Sequence, residues 1–317
     1  MNKLAILDGR LAVMPKKIDA LIDKFINAQD IKEKSRDSYR RALKQFFIFL
    51  KGTDFRTLTR EHILSYKNYL TAGKSPYTVS AYLTAVRKFF EWTESLKVYP
   101  NVAKGIKGAK TSRDFKKYAL KVEQVKEILS SIDRSTLPGK RDYALLNLLV
   151  RTGLRTVEIF RADIKDIKQE GGEALLYIQG KGRDSKDAFV LLTDNTLKPI
   201  NEYLSARGDS REDSPLFASL SDRNNHGRLT TRSLSRIAKG HLINIGLNNR
   251  KFTAHSFRHT AVTLSLLAGA TLQETQALAR HSNINTTLIY AQNIDRIAKA
   301  PERKIDRLLS AEGEVVN

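Results

Sequence analysis

The 317-residue chain has no cysteine. That excludes a disulfide framework, a thiolate zinc site and a cysteine nucleophile. Acidic residues are scarce beside basic ones, 34 Asp and Glu against 55 Lys and Arg. No apolar run approaches the roughly 20 residues that a membrane-spanning helix needs, and Asp8, Gly9 and Arg10 interrupt the opening segment before it can form a signal-peptide core. A soluble, cytoplasmic protein with no membrane partner is expected. The chain lacks a G-x-x-x-x-G-K-[ST] phosphate loop and a carboxylate cluster of the two-metal kind, so neither nucleotide-driven nor two-metal chemistry is indicated, and no cofactor or metal is expected. Internal repeats and low-complexity tracts are also missing.

What is present is a hydrophobic fraction of 41%, enough for real cores, in a chain long enough for about two domains. The net charge is +21 and unevenly spread: residues 1–117 hold 25 basic and 11 acidic residues, 118–317 hold 30 and 23. A protein so positive attracts polyanions at a distance, which points to nucleic acid; a solvated basic surface is the alternative.

The first third reads as a helical bundle. Ile18, Leu21, Ile22, Phe25 and Ile26 fall on one face of a helix, as do Tyr39, Leu43, Phe46, Phe47 and Leu50, with Gly52 closing the second. A third helix runs from Thr59 to Ala72, and Ser75-Pro76, a cap residue followed by proline, opens a fourth. Residues 100–117 break the pattern with six basic residues against Asp114 alone, and read as an interdomain linker. The expected division is a helical domain over 1–109, a basic linker over 110–117 and a mixed domain over 118–317. That second domain is expected to hold helices near 122–133, 140–152, 194–206, 230–245, 256–268, 271–280, 286–292 and 294–309. Two strands, 175–179 and 188–193, are joined through Gly180-Lys181-Gly182-Arg183. The fold class is therefore mostly α with a small β-sheet.

Four clusters carry chemistry. In Thr152-Gly153-Leu154-Arg155-Thr156-Val157-Glu158, Gly153 ends one helix and Arg155 stands at the start of the next, where backbone N–H groups favour anions. Its planar fork matches phosphate oxygens; a surface ion pair is the competing reading. Lys181 sits on a hairpin tip, where a plain exposed turn is the alternative. His255 and Arg258 share a helix face at i, i+3, a pairing suited to a phosphate oxygen and a mobile proton; His259 is expected to point elsewhere. Tyr290 follows His281 by nine residues on a short helix capped by Thr286, although a tyrosine there could equally be packing.

Taken in order, Arg155, Lys181, His255, Arg258, His281 and Tyr290 resemble the tyrosine recombinase family, the phage-integrase and Xer-like enzymes in their compact two-domain form. The resemblance covers nearly the whole chain from about residue 15. It implies a SAM-like core-binding domain followed by a catalytic domain. It also implies site-specific cutting and rejoining of double-stranded DNA at core sites through a 3′-phosphotyrosine and a Holliday junction. In that scheme Tyr290 is the nucleophile, and Arg155, Arg258 and His281 contact the phosphate. Lys181 protonates the leaving 5′ oxygen, His255 helps take the tyrosine proton, and Glu158 orients its neighbours. A homo-tetramer on two DNA sites is implied, with room for an accessory DNA-bending or directionality factor and a nucleoid-associated setting. The final helix is expected to dock on a neighbouring protomer. Lys74, Tyr77, Arg87, Lys88, Lys107 and Lys110 are candidate DNA contacts. Integration and excision of a mobile element is the expected role, with chromosome dimer resolution, inversion, a type IB topoisomerase or a catalytically idle DNA-binding protein as alternatives. One departure stands out. The family's second histidine usually follows Leu-Gly, and here Ala279-Arg280 precede His281. A side chain at that position would either crowd the backbone or add a contact to DNA or protein.

Overall fold

The computed structural model describes residues 15–110, 118–180, 183–208, 211–221, 227–298 and 301–310, and the side chains among them except those of 15–17, 293–298, 301, 304, 307, 308 and 310. The chain divides into two compact units, Met1–Asp114 and Phe115–Asn317.

In the first unit, α1 (Pro15–Asn27), α2 (Glu33–Phe49), α3 (Arg60–Gly73) and α4 (Pro76–Ser95) pack their periodic faces together. Phe25, Phe46, Phe47, Phe55, Phe89 and Phe90 form one aromatic core. The ring pairs are mostly edge-to-face or tilted, as the ring quadrupole favours. Ser75 caps α4, its hydroxyl accepting from the Thr78 N–H at 3.3 Å, and Pro76 takes the first turn, where no N–H is needed.

Residues 100–109, whose composition reads as linker though the expected division puts them in the first domain, are packed on it. Ala103 and Ile106 are buried in the first core. The Lys104 carbonyl accepts from Arg60 at 2.6 Å, and the Ala109 carbonyl accepts from Ser80 at 3.3 Å. At Gly108 an added Cβ would fall 2.6 Å from Ser80 Oγ. Basic composition hid these apolar anchors, because Lys104, Lys107 and Lys110 face solvent between them.

The second unit is built around α6 (Leu137–Thr152), in which Ala144 to Val150 are buried without a break. A helix buried on every side lies inside its domain. Around it lie α5 (Val122–Ser130), the short α7 (Thr156–Arg161), α8 (Asp194–Arg207), α9 (Thr231–Asn244) and α10 (Ala254–Leu267), with α11 (Leu272–Ala279) and α12 (Ile284–Ala298) on α10. An antiparallel sheet runs β1 (Ile167–Glu170), β2 (Glu173–Ile178), β3 (Ala188–Leu191), with Leu175 opposite Leu191 and Tyr177 opposite Phe189. Strand β1 was not expected from the sequence. It joins β2 through Gly171 and Gly172, at φ 60° and 84°, a two-residue turn of positive φ whose twist matches the right-handed twist of the strands.

The C-terminal reading also changes. In place of one segment over 294–309, α12 continues to Ala298 and a separate helix, α13 (Pro301–Ser310), begins at Pro301, which fits a first turn but not a helix interior. Among the described residues no helix is long and apolar enough to cross a membrane.

Candidate active site

Local chain geometry delivers the first arginine. Gly153 ends α6 in the left-handed region at φ 61°, and the chain turns at once into α7. Arg155 stands just ahead of that helix. Its backbone N–H donates to Glu158 Oε2 at 2.8 Å, and its guanidinium to Glu158 Oε1 at 2.7 Å. Glu158 is fully buried and serves as the clamp that fixes Arg155.

Helix α10 supplies the next groups. Arg258 is 3% exposed; it donates to the Gly153 carbonyl at 2.6 Å and, through its other terminal nitrogen, to the Ala279 carbonyl. The arginine therefore ties together the ends of α6 and α11. Burial, with Arg155 and Arg280 nearby, pulls its pKa down to about 10, which still leaves it charged at neutral pH.

The nucleophile candidate Tyr290 packs from α12 against Val262, Leu266 and Ala279, and is 7% exposed. Its hydroxyl meets Nδ1 of His259 in a short hydrogen bond. This corrects the expectation that His259 points away. His255 and His259 stand at i, i+4, so they share a face just as His255 and Arg258 do; the same spacing could have flagged His259. His255 itself is exposed, and its ring packs edge-on against His259 with centroids 4.6 Å apart.

Burial, followed by His255, Arg258 and His281, pulls the His259 pKa down to about 3. Burial likewise pushes the Tyr290 phenol up to about 12, with Arg258 opposing it. The imidazole is thus neutral at pH 7, and with its proton on Nε2 the phenol donates to Nδ1. Direct proton transfer between a phenol near 12 and an imidazole near 3 is steeply uphill. The pair therefore keeps Tyr290 protonated at neutral pH.

His281 follows α11, and its Nδ1 lies 2.9 Å from the Thr287 hydroxyl. Burial, then Arg258, Arg155 and Arg280, pulls its pKa down to about 4. The α12 cap also differs from expectation: Asn283, whose side chain accepts from the Asn285 N–H at 2.9 Å, precedes the helix, and Thr286 lies inside it.

Arg155, Glu158, Arg258, His281 and Tyr290 are thus joined through α6–α7, α10 and α11–α12. Lys181 lies outside the described residues. The flanks of its loop are held by Arg161 donating to the Gly180 carbonyl at 3.1 Å and by Lys186 on Asp163 at 2.9 Å. The candidate DNA contacts of the first unit lie on α4, just before it, and on the segment packed along it. Lys74, Tyr77, Lys107 and Lys110 are exposed, Lys88 pairs with Glu91 at 2.8 Å, and Arg87 donates to the Ile106 carbonyl at 3.4 Å and to Thr84 at 3.0 Å. Among the described residues no group of His, Asp or Glu could hold a metal ion.

Two family models match the chain: the phage integrase family over residues 119–296, and the phage integrase N-terminal SAM-like domain over 19–99. The tyrosine recombinase XerD of Listeria innocua is 30% identical over 283 residues, spanning 85% of this chain and 90% of the relative. The tyrosine recombinase XerC of Myxococcus xanthus is 31% identical over 240 residues, 74% and 77% of the two chains. Among solved structures, the XerH site-specific recombinase bound to a palindromic difH substrate, a post-cleavage complex, is similar with a TM-score of 0.72 at 23% identity, covering 90% of this chain and 84% of that one.

Proposed function

The chain belongs to the phage integrase family and is a tyrosine-type site-specific DNA recombinase, and from that premise we propose that Tyr290 is its nucleophile. In this reading the Tyr290 oxygen attacks a backbone phosphorus, the bond from phosphorus to the 5′ oxygen breaks, and a 3′-phosphotyrosyl ester forms. Arg155 and Arg258 stabilise the charge that gathers on the non-bridging oxygens, and His281 joins them on the phosphate. Loss of one such donor typically costs about 10²–10³ in rate. Lys181 hands its proton to the leaving 5′ oxygen, His255 helps take the tyrosine proton, and His259 orients the phenol by accepting its hydrogen bond. Return of a 5′-hydroxyl from a second duplex reverses the step, and phosphodiester energy is conserved without ATP. The carrying observation is the Tyr290 phenol docked on His259, one residue from Arg258.

The reaction joins two like core sites in a tetramer, acting in the cytoplasm. Chromosome dimer resolution is the first role, favoured by the XerC and XerD relatives. Integration and excision of a mobile element is the second, favoured by the phage integrase model. The test is covalent trapping on duplex fragments of the source replicon that carry nicks or bridging phosphorothiolates. A denaturant-resistant protein–DNA adduct, lost in Tyr290→Phe, is expected. Tight DNA binding without any adduct would leave only a DNA-binding protein, and relaxation of a supercoiled plasmid with no partner site would favour a topoisomerase.

A further inference from the structure

Arg280 neither crowds the backbone nor reaches outward. It stands just after α11 in the left-handed region at φ 52°, a conformation that costs a residue with a side chain about 1 kcal/mol or more. Its side chain is only 14% exposed. One terminal nitrogen donates to the Leu278 carbonyl at 2.7 Å; the other donates to Glu158 Oε2 at 3.1 Å and to the Gly153 carbonyl at 3.3 Å. Its Nε is buried without a hydrogen-bond partner. The Arg280 carbonyl accepts from Arg155 at 3.4 Å. Glycine would avoid the backbone strain, the buried charge and the orphaned Nε together. Such a conformation persists where its surroundings over-determine it, and such sites concentrate where function needs them.

We propose that Arg280 is a positioning residue of the recombination site: by sharing Glu158 with Arg155 and the Gly153 carbonyl with Arg258, it locks the phosphate-binding pair and adds a third guanidinium charge behind it. The inference rests on the proposed chemistry. Among the described residues Glu158 is the carboxylate that pairs with Arg155 and Arg280 and acts on Arg258, so one negative charge stands against three guanidiniums. A phosphodiester bears one negative charge and gathers more in the transition state, and fixed charge aimed there lowers the barrier without reorganisation.

The test compares the full-length wild type with Arg280→Gly and Arg280→Lys by single-turnover cleavage, DNA affinity, melting temperature and NMR titration of His281. Arg280→Gly should melt at or above the wild-type temperature, because the left-handed position suits glycine. It should bind DNA normally and form the covalent adduct up to about 100-fold more slowly, the scale set by small misplacement of reacting groups. Arg280→Lys, with charge but no fork, should fall between. The His281 midpoint should rise in Arg280→Gly, because Arg258, Arg155 and His255 remain around it while one guanidinium is gone. An unchanged cleavage rate overturns the inference, as does a rate loss that tracks lost melting temperature or DNA affinity. If the wild type itself gives no adduct, the recombinase chemistry fails. The His281 titration then decides separately, and a midpoint unmoved by Arg280→Gly overturns the positioning role on its own.

Discussion

The two units bury different chemistry. Among the described residues, the first unit closes on aromatic rings, and Thr93 is its buried polar residue. The second closes on aliphatic side chains around Arg141, Glu158, Asp166, Arg258 and His259. Ring packing rewards shape and is nearly indifferent to pH and salt. A buried charge is costly unless its donors and acceptors find counterparts. One unit is therefore defined by volume and the other by electrostatics, and the two should fail under different insults.

The largest expected effect follows from ring packing. Phe89 is fully buried against Phe25, Phe47, Phe55, Phe90 and Trp92. Phe89→Ala should destabilise the first unit by about 3–5 kcal/mol. Trp92 is the chain's one tryptophan and sits in that core, so its fluorescence during urea unfolding follows this unit alone. If hydrogen exchange at the amides of α6, which lies in the second unit, shifts by the same amount, the contrast collapses.

Acid should separate the units next. His259 and His281 have folded pKa values near 3 and 4, below the ordinary 6.5. Between those values and 6.5 the unfolded chain binds more protons than the folded one, so stability falls as pH drops through that window. The second unit should lose stability from about pH 6.5 downward, while Trp92 reports little change, since no histidine of the first unit is buried among the described residues. His259→Gln should flatten the slope. An equal acid response in both units would break the comparison.

The smallest effect is at the surface. Lys88 pairs with Glu91 while half exposed, and Lys88→Ala should change stability by no more than about 0.5 kcal/mol. If Lys88 neutralises a phosphate, the same variant should lower the salt slope of DNA binding by about 1. An unchanged slope removes Lys88 from the interface and leaves the first unit's basic surface to its other residues.

Much of this was legible because it is local. Ser75-Pro76, Gly153 and the apolar faces of α1 to α4 specify their elements within a few residues, and Arg155, Arg258, His281 and Tyr290, singled out by their order in the chain, lie close together in the fold. What escaped depends on partners far along the chain. Strand β1, Ile-Lys-Gln-Glu, is mostly exposed and has no alternation to read; pairing with β2 makes it a strand. Pro301 was a local signal left unread. Whether His259 meets the phenol depends on how α12 packs on α10. The inward turn of Arg280 depends on a carbonyl 127 positions away, which no periodicity encodes.

Tyr290 is held in two unlike ways. Val262, Leu266 and Ala279 grip its ring by shape, while His259 holds its hydroxyl by direction. The ring contacts tolerate small slides of α12 along α10; the hydrogen bond does not. The phenol is thus a gauge of that helix pair, and any change in their packing is read first at a single oxygen atom.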